Sequence, residues 1–271
     1  MKLSNERYNK QSKVNALKDR TMKSNFQLPA SIIQLLTSGI KHPASSFYIL
    51  LVIALYACNP KPVTREPVHN IGILREIMHQ GQYQARVLID TLDKSNLYAV
   101  GALENLSGEL TIQNGKIYGS EVFGDSIINV SHKSLKATLL VSAKNDRWDT
   151  IPAAGITSLE NFITDLAIQK GLNQAFPFLV LGSADTVVHH VIRFDPEKDD
   201  LLRHREDAKH DTLTNARVML VGFYSTKAKG IYTHHDSNMH VHVIDETTQN
   251  TGHLEMVDFG NHSVQILIPK P

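Results

Sequence analysis

A single cysteine, Cys58, leaves this chain without a disulfide framework in any compartment. An excess of charge of one sign is also lacking. Twenty-eight Lys and Arg stand against 27 Asp and Glu, for a formal net charge of +1. With no basic patch, nothing points to nucleic acid as a partner. There is no Gly-rich phosphate loop and no internal repeat of fixed period. The apolar run Phe47 to Ala57, FYILLVIALYA, has 11 residues, too few for a helix to cross a hydrocarbon core of about 30 Å. What remains is an ordinary globular composition, 42% hydrophobic and 20% charged over 271 residues, enough for one domain or a pair of lobes.

That short run, preceded by Lys41, fits the apolar region of a signal peptide. Ala57 directly before Cys58 resembles a bacterial lipoprotein signal, in which the cysteine is acylated and becomes the mature N-terminus. A buried apolar helix is the competing interpretation. The division expected is a leader over 1–57, a polar tether over 58–68 containing NPKPVTREP, and a folded domain over 69–271. Met22 offers a second start position.

The domain opens with Ile71, Leu74, Ile77 and Met78 at helical spacing, stopped by Gly81. Strand patterns follow at 85–90, 97–103, 108–113, 116–123 and 134–143, with Asn114-Gly115 a strong hairpin signal. Thr157-Ser158-Leu159-Glu160 has the form of a capping box before the stripe Leu159, Phe162, Ile163 and Leu166. Further strands read at 176–182, 186–194 and 216–225, and the charged stretch 195–211 reads as a solvent loop or short helix. The fold class expected is α/β in the broad sense, more strictly α+β: two lobes on mixed or antiparallel sheets with a few packing helices.

The most informative segment is Met239 to Phe259, MHVHVIDETTQNTGHLEMVDF. His240 and His242, two apart on a strand, project from one face with Cα atoms roughly 6–7 Å apart, so both imidazoles can reach one ion. Polar 246–251 followed by Gly252 makes a hairpin that returns His253 to the same face. In the simplest register His242 pairs with His253 and His240 with Glu255, all four side chains facing one side. Three neutral imidazoles with an open fourth position are the ligand set of a catalytic zinc. The competing interpretation is chance, since a chain with 14 His produces an H-x-H pair on a solvated strand face readily.

LVGFYS (Leu220 to Ser225), then His240-Val241-His242, then Gly252-His253 resembles the C-terminal half of the α-acetolactate decarboxylases, whose pattern is G-F-Y, H-x-H, G-H. Upstream, GALENLSGELTIQNGKIY (Gly101 to Tyr118) resembles that family's G-T-x-x-x-L-D-G-E segment. The likeness runs from about Asn70 to Pro269. It implies zinc-dependent loss of CO2 from 2-acetolactate (2-hydroxy-2-methyl-3-oxobutanoate) to give acetoin. The partner implied is a small 2-hydroxy-3-oxo acid, with zinc on His240, His242 and His253 as the electron sink. Glu109 matches the motif glutamate and is the candidate for proton transfer. Arg193 falls, after a one-residue shift, where the family's arginine holds the substrate carboxylate.

Several positions depart from the pattern. Ala102 replaces the threonine, Ser107 the aspartate, and the C-terminal glutamate is missing near Ser263. Glu255 is the candidate to take over that glutamate's role, through the parity described above. An exported lipoprotein anchored to a membrane by Cys58 is expected, and a homodimer is left open. A non-catalytic metal-binding lipoprotein is the alternative. His189, His190, His234, His235 and His262 have no counterpart in the family pattern, and His234 and His235 are expected to be solvated in a polar loop.

Overall fold

A computed structural model describes residues 66–194 and 208–270. The leader, Cys58, most of the tether and the stretch 195–207 lie outside those residues. Among the described residues, no helix is long and apolar enough to cross a membrane.

The first sheet takes seven strands: β1 (His69–Ile71), β2 (Val87–Leu88), β3 (Leu97–Leu103), β4 (Gly108–Gln113), β5 (Lys116–Phe123), β6 (Ser126–Asn129) and β7 (Lys136–Lys144). Its order is β1-β7-β3-β4-β5-β6, with β2 joined to β7. The second sheet holds β8 (Trp148–Ala153), β9 (Phe176–Val191), β10 (Lys209–Tyr224), β11 (Met239–Asp245), β12 (Thr251–Asp258) and β13 (Val264–Pro269). Its order is β10-β11-β12-β9-β13-β8, and β9 also pairs with β10. The strands β9, β10, β11 and β12 therefore pair in a closed circuit. Every pairing in both sheets is antiparallel, so the α+β, two-sheet expectation holds. Among the described residues, two α-helices complete the frame, α1 (Leu74–Gln80) and α2 (Leu159–Gln169).

Alternation along the strands assigns the faces. On β4, Leu110 and Ile112 enter a core with Ile89, Leu97 and Leu140 on one side of the first sheet. Glu109 and Thr111, one residue out of phase, face the other way. On β11, Val241 and Val243 join the large core under α2. His240, His242 and Ile244 face the seam between the sheets, where Ile244 packs with Val100, Val141, Val221 and Phe223. Burying that seam is what sets the sheets against each other.

Local chemistry explains most boundaries. Asn114 and Gly115 both take positive φ (49° and 80°), the requirement of a two-residue type I′ hairpin turn. Gly81 ends α1 in the left-handed conformation. The capping expectation is corrected by one residue: Ser158 is the N-cap and its Oγ accepts from the Asn161 N–H at 3.3 Å. Glu160 instead accepts from the Asn238 N–H at 2.8 Å and the Ser237 hydroxyl at 3.0 Å, tying α2 to the loop that feeds β11. The segments at 176–182 and 186–194 merge into one long strand, β9, because β10 pairs with it over its whole length.

Candidate metal centre

His240 and His242 leave β11 on the face that meets the first sheet, and both are buried. His253 stands directly opposite His242 in the β11–β12 register, as the sequence suggested. The three rings form a near-equilateral triangle with centroid separations of 5.0, 5.0 and 5.5 Å. One nitrogen from each lies within 4.8 Å of the other two.

Nε2 of His240 and Nε2 of His242 are 3.2 Å apart. Two ligands of one tetrahedral zinc, each at about 2.05 Å, sit about 3.3 Å apart. The donor spacing therefore fits such an ion. Gly252 sets this geometry, because a Cβ there would meet Cδ2 of His189 at 2.3 Å and the His190 carbonyl at 2.8 Å. Only a glycine lets β12 lie this close to β9 and keeps the next residue, His253, in the triangle.

The hydrogen-bond network assigns the tautomer of His242. Thr251 Oγ1 donates to the Val243 carbonyl at 2.9 Å, which uses its only hydrogen. Across the 2.5 Å contact between hydroxyls, Thr111 must then be the donor to Thr251. With its own hydrogen spent, Thr111 Oγ1 can only accept from His242, whose Nδ1 lies 3.1 Å away. Nδ1 therefore carries the proton and the Nε2 lone pair points into the triangle, the arrangement by which outer groups orient a metal-ligating imidazole.

Burial also sets the charge state. It pushes His240 down to about 3 from the ordinary 6.5, aided by the neighbouring His234 and opposed by the Tyr232 carbonyl. Burial and the mutual proximity of the imidazoles lower His242 and His253 well below the usual range as well. All three are neutral at pH 7, the form that binds metal.

Glu109 comes across the seam from β4. Its Oε2 lies 3.4 Å from Nε2 of His242, and its Oε1 accepts from the Ile192 N–H at 3.4 Å. Burial pushes this carboxyl well above the ordinary carboxylate range. A narrow cavity of about 60 Å³ adjoins the cluster, lined by Glu109, His240 and His253 and walled on its apolar side by Ile77 and Met78 of α1. The first N–H groups of α1 donate to the carbonyls of Ile231 and Gly230, so the helix is fixed to the loop that carries His234. A wider cavity of about 760 Å³ shares His190, His234 and His253 with the narrow one and opens it toward solvent.

Two expected site residues lie elsewhere. Arg193 is exposed and lines neither cavity; its neighbour Ile192 supplies the backbone donor to Glu109 instead. Glu255 does not pair with His240. The β11–β12 ladder stops at His253, and a register shift between Leu254 and Met256 bulges β12 against β9. The bulge turns Glu255 away from the triangle, onto Nδ1 of His190 at 2.9 Å and Nδ1 of His210 at 3.2 Å.

Sequence reasoning missed Thr111, although its parity with Glu109 on one strand was a usable signal. It also expected solvent around His234, whose ring lies 5.3 Å from that of His253. His190 packs 5.0 Å from His253. His189 is buried beneath Gly252, His235 is exposed, and His262 pairs with Asp185 at 3.1 Å on the surface.

Fold and site together define a two-sheet α+β protein with a three-histidine, one-carboxylate cluster in the seam between its sheets. The family model described as alpha-acetolactate decarboxylase matches residues 68–269, and the chain belongs to that family. No curated protein matches the chain in sequence. Among solved structures, a Staphylococcus aureus protein of unknown function similar to alpha-acetolactate decarboxylase shares 18% identity over 74% of this chain and 85% of its own, with a TM-score of 0.61. The alpha-acetolactate decarboxylase of Bacillus subtilis strain 168 shares 17% identity over 75% and 86%, with a TM-score of 0.60. The acetolactate decarboxylase of Bacillus subtilis subspecies spizizenii shares 18% over 75% and 87%, with a TM-score of 0.59. At these identities the likeness establishes the fold.

Proposed function

We propose that this protein decarboxylates 2-acetolactate to acetoin, using zinc on His240, His242 and His253, and that it works as an exported lipoprotein anchored through Cys58. The observation that carries the proposal is the clustering of three neutral imidazoles and the Glu109 carboxyl beside one narrow cavity, which His240, His253 and Glu109 line. Zinc, when bound, supplies a Lewis acid beside the oxygens of a 2-hydroxy-3-oxo acid as CO2 departs. The remaining work falls to side chains. Thr111 and Thr251 hold the His242 ring in its Nδ1–H tautomer. Ile77 and Met78 offer an apolar wall suited to the two methyl groups of the substrate and keep water from that side.

Glu109 holds its proton more tightly than an ordinary carboxyl because it is buried, and a cation beside it would work in the opposite sense. Its Oε1 is occupied by the Ile192 N–H, which leaves Oε2 to deliver a proton to the carbon that loses CO2. The substrate carboxylate falls to Arg193 only if that exposed side chain turns inward.

The departures support a second proposal, a metal-binding lipoprotein without turnover: Ala102 lines the cavity where the family has threonine, and Glu255 faces away from the triangle. Metal analysis of the purified protein, paired with an acetoin colour assay on racemic acetolactate, separates the two. Bound zinc with acetoin formation supports the enzyme. Bound zinc with no acetoin leaves the binding protein. For the anchor, mass spectrometry of the exported protein should find an acylated N-terminal Cys58; an unmodified Cys58 within a longer exported chain would overturn it.

A further inference from the structure

His190, His210 and Glu255 belong neither to the triangle nor to any role assigned above, yet they converge from three strands of the closed circuit. His190 on β9 and His210 on β10 are direct cross-strand partners, which puts both imidazoles on one face with ring centroids 5.6 Å apart. Glu255 is the extra residue of the β12 bulge. A bulge gives up ladder pairing and re-aims one side chain, and here the re-aimed group is a carboxylate set between two imidazoles, one oxygen to each. One donor atom from each residue lies within 4.8 Å of the others. Two imidazoles and a carboxylate are the ligand set of open zinc sites and of the facial triads that hold divalent transition ions.

We infer that His190, His210 and Glu255 form a second binding site for a divalent transition-metal ion of the zinc class, separate from the three-histidine centre. The trio stands at the edge of the wide cavity, where His210 and Glu255 are half exposed, so water can complete the coordination and little desolvation opposes an entering ion. His190 is buried on its other side against His253, so the second site adjoins the first through a single ring contact. No decarboxylase activity is needed for this inference, because metal stoichiometry reads it directly.

The test counts zinc on the purified full chain after chelator treatment and re-equilibration at buffered free zinc. Wild type should take two equivalents. Glu255→Gln and His210→Asn should each retain one, with the second binding step weakened at least about tenfold. His240→Ala should also retain one, and His240→Ala combined with Glu255→Gln should hold none. Both trio substitutions fall on half-exposed side chains, and circular dichroism checks that each variant is folded. Cobalt substitution gives an independent readout, a visible absorption component that Glu255→Gln removes while the triad component persists. Saturation of wild type at one equivalent that Glu255→Gln keeps would overturn the second site, leaving the trio a hydrogen-bonded His–Glu–His bridge. A second equivalent that survives both trio substitutions would overturn it equally, as surface binding elsewhere.

Discussion

The first sheet runs as an open path from β1 to β6, whereas four strands of the second return on themselves to close a circuit. All three triad histidines stand on the closed part, two on β11 and one on β12. The open sheet contributes the groups that act on them: Glu109, which faces His242, and Thr111, which fixes its tautomer. Of the candidate ligands, His242 and His253 sit where their strands are paired on both sides, and His240 where β11 is paired with β10. The proton-handling and orienting groups come from across the seam. The contrast teaches that the candidate ligands and the proposed acid–base group stand on different sheets, so that loss of metal and loss of turnover can be separated by mutation.

The largest effect should come from the closed circuit. His253→Ala removes one of three ligands, and bound zinc should fall well below one equivalent at the triad with decarboxylation lost. Stoichiometric triad zinc in that variant at low micromolar free zinc would break the comparison. On the open sheet, Glu109→Gln should keep triad zinc and lose about 10²–10⁴-fold in decarboxylation rate, the usual contribution of a positioned acid–base group. Loss of zinc with loss of rate would instead make Glu109 a ligand.

Thr111→Val keeps the shape of the side chain and removes the acceptor for Nδ1–H of His242. Zinc affinity should drop by about 10–100-fold, as for other outer groups that orient a metal-bound imidazole. An unchanged dissociation constant would mean that the β11–β12 ladder alone holds the ring.

The smallest effect is on stability without metal. The unfolded chain protonates His240 near 6.5 but the folded one only near 3, so its contribution is intact above about 6.5 and is lost as pH falls toward 3, at about 1.4 kcal/mol per unit. His242 and His253, lowered by burial, act in the same direction. Glu109, raised by burial, opposes them: it stabilises at low pH and loses that contribution as pH rises through its folded value. Three imidazoles outweigh one carboxyl, so the unfolding free energy of the metal-free protein, read from urea titrations, should fall between pH 7 and 5.5 by on the order of 2 kcal/mol. Glu109→Gln should steepen that fall, and a flat profile would mean that water reaches the imidazoles.

Much of this was legible in the residues. The Asn114-Gly115 turn, the β11–β12 hairpin and the His242–His253 register follow from turn chemistry and the two-residue period, both local. Glu255 was misplaced because its position depends on a bulge against β9, a strand more than sixty residues earlier, and alternation within one hairpin carries no information about that partner. The pairing of His190 with His210 was hidden for the same reason, since the register of β9 against β10 is set over the sixteen-residue length of both strands and anchored by the apolar half at 218–224. Arg193 and Ile192 show how one residue at the end of a strand decides whether a side chain or a backbone N–H reaches the site.

The closed circuit also bears on self-association. A strand with a free edge offers unpaired N–H and C=O groups to any passing chain, and the segments around His242 and His253, paired on both sides, offer none. At the ends of the sheets the edges are brief strands: β1 has three residues, β6 has four, and β8 has six, including Pro152, which has no N–H to donate, while the stretch 209–217 of β10, paired with β9 alone, carries the charges of Lys209, Asp211 and Arg217. A chain built so largely of strand thus keeps the segments of His242 and His253 out of reach of templated aggregation.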